Sequence, residues 1–164
     1  MSVAGGLPFA VARALLHRCE TLQVFTKNAN QWRARPLAAE ETTAFREAAE
    51  KAGIDPIVSH ASYLINIATV NPALRAQSLT ALGDEIDRAE ALGLLGVVLH
   101  PGARTTAPAD EAIALIVEGL ARILDARPRG RTMILLEHTA GQGSTMGSSF
   151  PEIAAMLDGV NASR

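Results

Sequence analysis

Two histidines and a glutamate recur at similar intervals along this chain: His60, His100 and Glu137. Each closes a short apolar run: Ile57-Val58-Ser59 before His60, Gly96-Val97-Val98-Leu99 before His100, and Met133-Ile134-Leu135-Leu136 before Glu137. Two imidazoles and one carboxylate form a donor set suited to zinc, with a fourth position left for water. Water held there loses its proton near neutral pH and becomes a hydrolytic nucleophile. A lone histidine at the end of a strand is more often a hydrogen-bonding part of the framework than a ligand. Repetition over three successive units strengthens the metal reading, but pattern alone leaves both open.

Elements that bring such residues together must end on one rim. The apolar runs predict strands at Leu22–Thr26, Ile57–His60, Gly96–His100 and Thr132–Glu137. Helices are expected over Leu7–Cys19, Ala38–Ala52, Pro72–Leu92, Ala109–Ala126 and Ser149–Leu157. Leu74, Leu82, Ile86 and Ala89 fall on one helical face, as do Ile113, Val117, Leu120 and Leu124. Gly53 and Gly93 are placed to end helices. The strand ends at Thr26, His60, His100 and Glu137 are spaced by 34, 40 and 37 residues. Such spacing suits parallel strands joined by right-handed helical crossovers. The fold class is α/β, as a barrel or an open sheet. No GxGxxG turn follows the first strand, as an open dinucleotide-binding sheet would require. In a barrel the C-terminal strand ends carry the active site, and adjacent strands lie about 4.8 Å apart. Three such ends can share one ion.

Other residues bear on ligands. Lys27-Asn28-Ala29-Asn30-Gln31-Trp32-Arg33-Ala34-Arg35 carries cations, amides and the only tryptophan, a mixture able to hold phosphates and stack on bases. An ordinary solvated loop with Trp32 packed inward is the alternative. Tyr63 and Leu64 follow His60 closely and could wedge into a base step, or simply cover the core. His17 reads as a surface or packing residue of the first helix. His138 falls on the opposite strand face from Glu137 and is at most a supporting partner. Gly141-Gln142-Gly143-Ser144 allows close backbone approach to a ligand or another loop. No P-loop lysine follows it.

With 164 residues, 48% of them hydrophobic and 20% charged, the chain can build one sizeable core and is not of disordered composition. A net charge of −2 gives no global attraction to nucleic acid, so any contact needs a local basic patch. The one cysteine, Cys19, cannot form an intramolecular disulfide, which suits a reducing cytoplasm. No apolar run approaches a membrane span, and the N-terminus lacks a signal-peptide pattern.

The runs Phe25-Thr26-Lys27-Asn28, Gln31-Trp32-Arg33, His60-Ala61-Ser62-Tyr63-Leu64-Ile65-Asn66, His100-Pro101-Gly102 and Leu136-Glu137-His138-Thr139-Ala140-Gly141-Gln142-Gly143-Ser144, in this order, resemble the endonuclease IV family of zinc-dependent apurinic/apyrimidinic endonucleases. The resemblance runs over nearly the whole chain. It implies a TIM (β/α)₈ barrel with three Zn2+ ions that cleaves the phosphodiester 5′ to an abasic site in double-stranded DNA. It makes His60 and His100 ligands of one zinc, and Glu137 the catalytic carboxylate bridging it to a second. It assigns Arg33, Tyr63 and Leu64 to DNA binding at the lesion. The family's asparagine after the bridging glutamate is His138 here, and its acidic residue after the first ligand is Ala61.

The family also has a Gly-Ala-His strand before the segment matched by Ser2–Gly6, and further ligand-bearing strands beyond Asp158–Arg164. The expectation is therefore a chain truncated at both ends: a single incomplete barrel domain over residues 1–164, with about four parallel strands and at most one zinc site holding its protein ligands. Impaired activity is expected of it. The complete enzyme would be a monomer, while the fragment could self-associate. The competing readings are a xylose-isomerase-like sugar isomerase or epimerase and an inactive barrel fragment.

Overall fold

Leu7, Ala10, Val11 and Ala14 recur at three- and four-residue spacing, and in the computed structural model, which describes Met1–Arg164, they are the buried residues of helix α1 (Leu7–Leu16). The remaining elements are β1 (Leu22–Val24), α2 (Ala39–Ala52), β2 (Ile57–His60), α3 (Pro72–Leu92), β3 (Gly96–Leu99), α4 (Ala109–Asp125), β4 (Met133–Leu136) and α5 (Phe150–Ala162). The strands form one sheet in the order β1-β2-β3-β4. Gln23 aligns with Val58, and Ser59 with Val97, in parallel register. Backbone bonds from Met133 N to Leu95 O and from Glu137 N to Leu99 O advance together along β3 and β4. This is the α/β succession of parallel strands and helices expected from the sequence.

Local chemistry sets the helix ends. Arg18, at φ 55°, and Cys19 close α1: their N–H groups bond to Leu15 O and Ala14 O. That left-handed closure ends the helix at Leu16, short of the expected Cys19. Gly53 (φ 63°) and Gly93 (φ 71°) close α2 and α3 in the same way. Ser149 caps α5, its hydroxyl oxygen accepting from Glu152 N at 3.4 Å. The helix then runs on past the expected Leu157 to Ala162.

Burial corrects the reading of α4. Its buried residues are Ala112, Ile116, Gly119, Leu120, Ala121 and Ile123, while Ile113, Val117 and Leu124 are half-buried. The stripe is displaced because small residues, Ala112 and Gly119, occupy its centre and hydropathy alone underweights them. A side chain on Gly119 would approach Leu79 Cδ2 to 2.9 Å. β3 is buried along its length apart from half-buried Val98, whereas the apolar run of β4 is half-exposed, with Met133 45% exposed. β4 lies at the edge of the sheet, and its composition does not reveal that.

Two compact units divide the chain: Met1–Ser62 with Asp84–Val98 and Arg131–Leu135, and Tyr63–Gly83 with Leu99–Gly130 and Leu136–Arg164. In the first, α1 packs on α2, with Phe45 fully buried. In the second, α4 packs on α5, with Ile116 and Met156 inaccessible. No helix is long and apolar enough to cross a membrane.

Candidate functional site

His60 is the last residue of β2, paired in register with Val98 and only 5% exposed. Phe25 packs against its ring, with centroids 5.4 Å apart. Its Nδ1 lies 2.7 Å from the carbonyl oxygen of Ala61. A carbonyl only accepts, so Nδ1 is the donor in this contact. This is the usual second-partner arrangement of a metal-ligating imidazole.

His100 follows β3, two positions beyond the register partner of His60. Its Nε2 stands 3.0 Å from Glu137 Oε2, with the two side chains 47% and 43% exposed. Glu137 follows β4, located by its own N–H on Leu99 O at 2.9 Å. Tyr63 sets its ring edge-on to His100 at 5.9 Å and is itself 59% exposed. One ligand atom from each of His60, His100 and Glu137 lies within 4.8 Å of the others. The strand register thus gathers residues that the sequence disperses.

The loops beside this group are fixed by backbone mimicry. Asn66 Nδ2 donates to Ala103 O at 2.9 Å, and its Oδ1 accepts from Ala103 N at 3.0 Å and Ala68 N at 3.1 Å. Gly102, at φ 111°, passes so close that a Cβ there would sit 2.4 Å from Asn66 Oδ1. The Gly141–Ser144 segment belongs to a loop that pairs with another loop: Ala103 bridges Thr145, and Arg104 N donates to Ser144 O at 2.9 Å. Close approach is therefore used for loop against loop. Gly147 and Ser148 N–H groups in turn bond Glu152 Oε2 at 2.8 and 3.0 Å.

The segment after β1 departs from its compositional reading. Lys27 does not project outward as a phosphate-binding cation. Its side chain is 1% exposed, with Nζ 3.1 Å from Asp84 Oδ2 and 3.5 Å from Glu85 Oε1. Arg35 pairs with Glu41 at 2.8 Å. Arg33 stands exposed, while Trp32 and Leu64 are half-buried. His17 is exposed on the turn after α1, and His138 stacks on Phe150 at 5.1 Å. The buried charges of α3 went unnoticed in the sequence. The available signal was Glu85 standing within the apolar spacing Leu82, Ile86, Ala89.

A family model described as xylose isomerase-like TIM barrel matches residues 11–164. The probable endonuclease 4 of Chloroflexus aurantiacus is 40% identical over 158 residues, covering 96% of this chain and 55% of that protein. That of Geobacter sulfurreducens is 41% identical over 159 residues, covering 97% and 54%. Among solved structures, endonuclease IV from Thermus thermophilus superposes with a TM-score of 0.84 at 34% identity, over 96% of this chain and 56% of that one. A D-tagatose 3-epimerase-like protein shares the fold, with a TM-score of 0.71 at 17% identity, over 89% and 54% of the two chains. The chain spans about half the length of the curated relatives it matches.

Proposed function

This chain belongs to the xylose isomerase-like TIM barrel family and, within it, to the endonuclease IV proteins, and from that premise we propose that it is part of a DNA-repair endonuclease that hydrolyses the phosphodiester 5′ to abasic sites by multi-zinc catalysis. The observation that carries this reading is the convergence of His60, His100 and Glu137. We take residues 1–164 as a single incomplete (β/α) barrel domain.

The donor set fits zinc. Zinc ligands at about 2.0–2.2 Å around a tetrahedron stand roughly 3.3 Å from one another. The 3.0 Å between His100 Nε2 and Glu137 Oε2 is close to that spacing. His60 offers Nε2 because Nδ1 is engaged by Ala61 O. Zinc bound there supplies Lewis acidity and neutralises phosphate charge. The chain's own residues bind and orient. His60 and His100 would hold the ion, and Glu137 would serve as the catalytic carboxylate beside them. Arg33 pairs with backbone phosphate, while Tyr63 and Leu64 enter the duplex at the lesion. Abasic nucleotides are favoured because no base need be unstacked on extrusion.

The partner is double-stranded DNA containing abasic sites, met in the cytoplasm. The full-length protein acts as a monomer with three zinc ions, of which these residues serve at most one, and the 164-residue chain can self-associate. A sugar isomerase or epimerase remains the rival, but the neighbour of that kind supports the fold alone.

Two measurements test the proposal. Zinc titration of the chain is expected to show one site that depends on all three residues. A protein spanning the length of the relatives is expected to nick abasic duplex and leave a 3′-hydroxyl, with weak or no nicking by the 164-residue chain. Isomerisation of a free sugar without nicking overturns the nuclease reading.

A further inference from the structure

The buried face of α3 carries charge. Leu82, Ile86 and Ala89 are buried at helical spacing, and Glu85 and Arg88 are buried among them, at 1% and 8% exposure. A carboxylate so enclosed persists only if it is paired and hydrogen-bonded. Glu85 meets that condition through two segments distant in sequence. Its Oε2 accepts from Thr26 Oγ1 at 3.0 Å, and its Oε1 accepts from the Ser62 backbone N–H at 3.1 Å. Lys27 Nζ lies 3.5 Å from Oε1 and donates to the carbonyl oxygen of Trp32 at 3.3 Å. Arg88 donates to Thr26 Oγ1 at 3.2 Å and to Arg35 O at 2.9 Å. Ser62 Oγ closes the circuit on Ala29 O at 2.7 Å. All of these residues belong to one compact unit.

We propose that Glu85 is a positioning residue: one buried carboxylate holds the segment that presents Arg33 and, through the Ser62 N–H, the residues that follow β2. Its consequence for DNA rests on the function proposed above, whereas the coupling of the two segments does not. Charge is essential to it, because Lys27 and two donors from different loops converge on the same group. Networks that orient a site in this way act without touching substrate.

Trp32 is the chain's only tryptophan and lies inside the coupled segment. It therefore reports on the coupling in the folded 164-residue chain. Glu85→Gln keeps the shape and removes the charge. The expected result is increased acrylamide quenching of Trp32 fluorescence at unchanged far-UV circular dichroism, with affinity for a duplex containing a tetrahydrofuran abasic analogue reduced about tenfold. Where Glu85→Gln does not fold, Ser62→Ala removes the bond to Ala29 O and is expected to raise quenching in the same direction. Unchanged Trp32 quenching in the folded variant overturns the proposal, even if DNA affinity falls. If a protein spanning the length of the relatives binds no abasic duplex while quenching still responds to Glu85→Gln, the coupling stands and the DNA reading fails.

Discussion

His100 and Glu137 face each other at 3.0 Å, Nε2 to Oε2, although they belong to different strand ends. Between them run α4 and its flanking loops. The pair is local to the backbone bond from Glu137 N to Leu99 O, which fixes how far β4 has advanced along β3. A shift of one residue in that register would turn Glu137 to the opposite face of the sheet.

That relationship predicts the metal affinity. Replacing His100 by Ala or Glu137 by Gln is expected to lower zinc affinity by more than about 100-fold, beyond what loss of a supporting partner costs. Competition against a chromophoric chelator measures it. Retention of full affinity in either variant would remove His100 or Glu137 from the ligand set.

Gly102→Ala places a methyl group 2.4 Å from Asn66 Oδ1 at a backbone φ of 111°. The positive φ strains any side chain, and the contact must break the Asn66–Ala103 clasp. The expected loss is at least about 1–3 kcal/mol of unfolding free energy. Urea unfolding at neutral pH checks this, and a variant as stable as the parent would contradict the geometry.

Arg33→Ala and Tyr63→Ala separate DNA contact from metal binding. Arg33 and Tyr63 are exposed, so fold and zinc stoichiometry should persist. For Arg33→Ala the affinity for abasic duplex should fall and its salt dependence should weaken by about one phosphate contact. For Tyr63→Ala the discrimination between abasic and intact duplex should narrow. Fluorescence anisotropy at several salt concentrations distinguishes the two outcomes.

Glu90 sets a pH dependence remote from the site. Its Oε2 accepts from Thr132 Oγ1 at 2.8 Å, Thr132 N at 2.8 Å and Arg131 N at 2.9 Å, just before β4 begins. These bonds, those of Thr132 foremost, hold its carboxyl below the ordinary carboxylate range. A carboxyl lowered in the folded state stabilises the fold above its unfolded titration range, and that contribution is lost as pH falls through the lowered value. Glu90→Gln should therefore be less stable than the parent at neutral pH, and the gap should narrow as pH drops below about 4. Urea midpoints measured from pH 6 to pH 3 test the sign.

Much of this protein could be read in its residues. Alternating apolar runs and helical stripes located all nine elements, because period-two and period-3.6 burial are written directly in side-chain type. Gly53 and Gly93 marked helix ends, since few other residues accept a left-handed backbone at no cost. The repeated His, His and Glu at strand ends raised the metal reading, and the motifs around them placed the chain in its family.

Other features were decided only in three dimensions. Burial along α4 depends on what packs against Ala112 and Gly119, not on hydropathy. Lys27 reads as one more loop cation until Asp84 and Glu85, distant in sequence, enclose its ammonium group. The approach of His60, His100 and Glu137 follows from strand register, a relation between segments that no single segment encodes. The sequence determined which groups were available for chemistry. Pairing between distant strands decided which of them meet, because hydrogen-bond register and burial are properties of two surfaces at once.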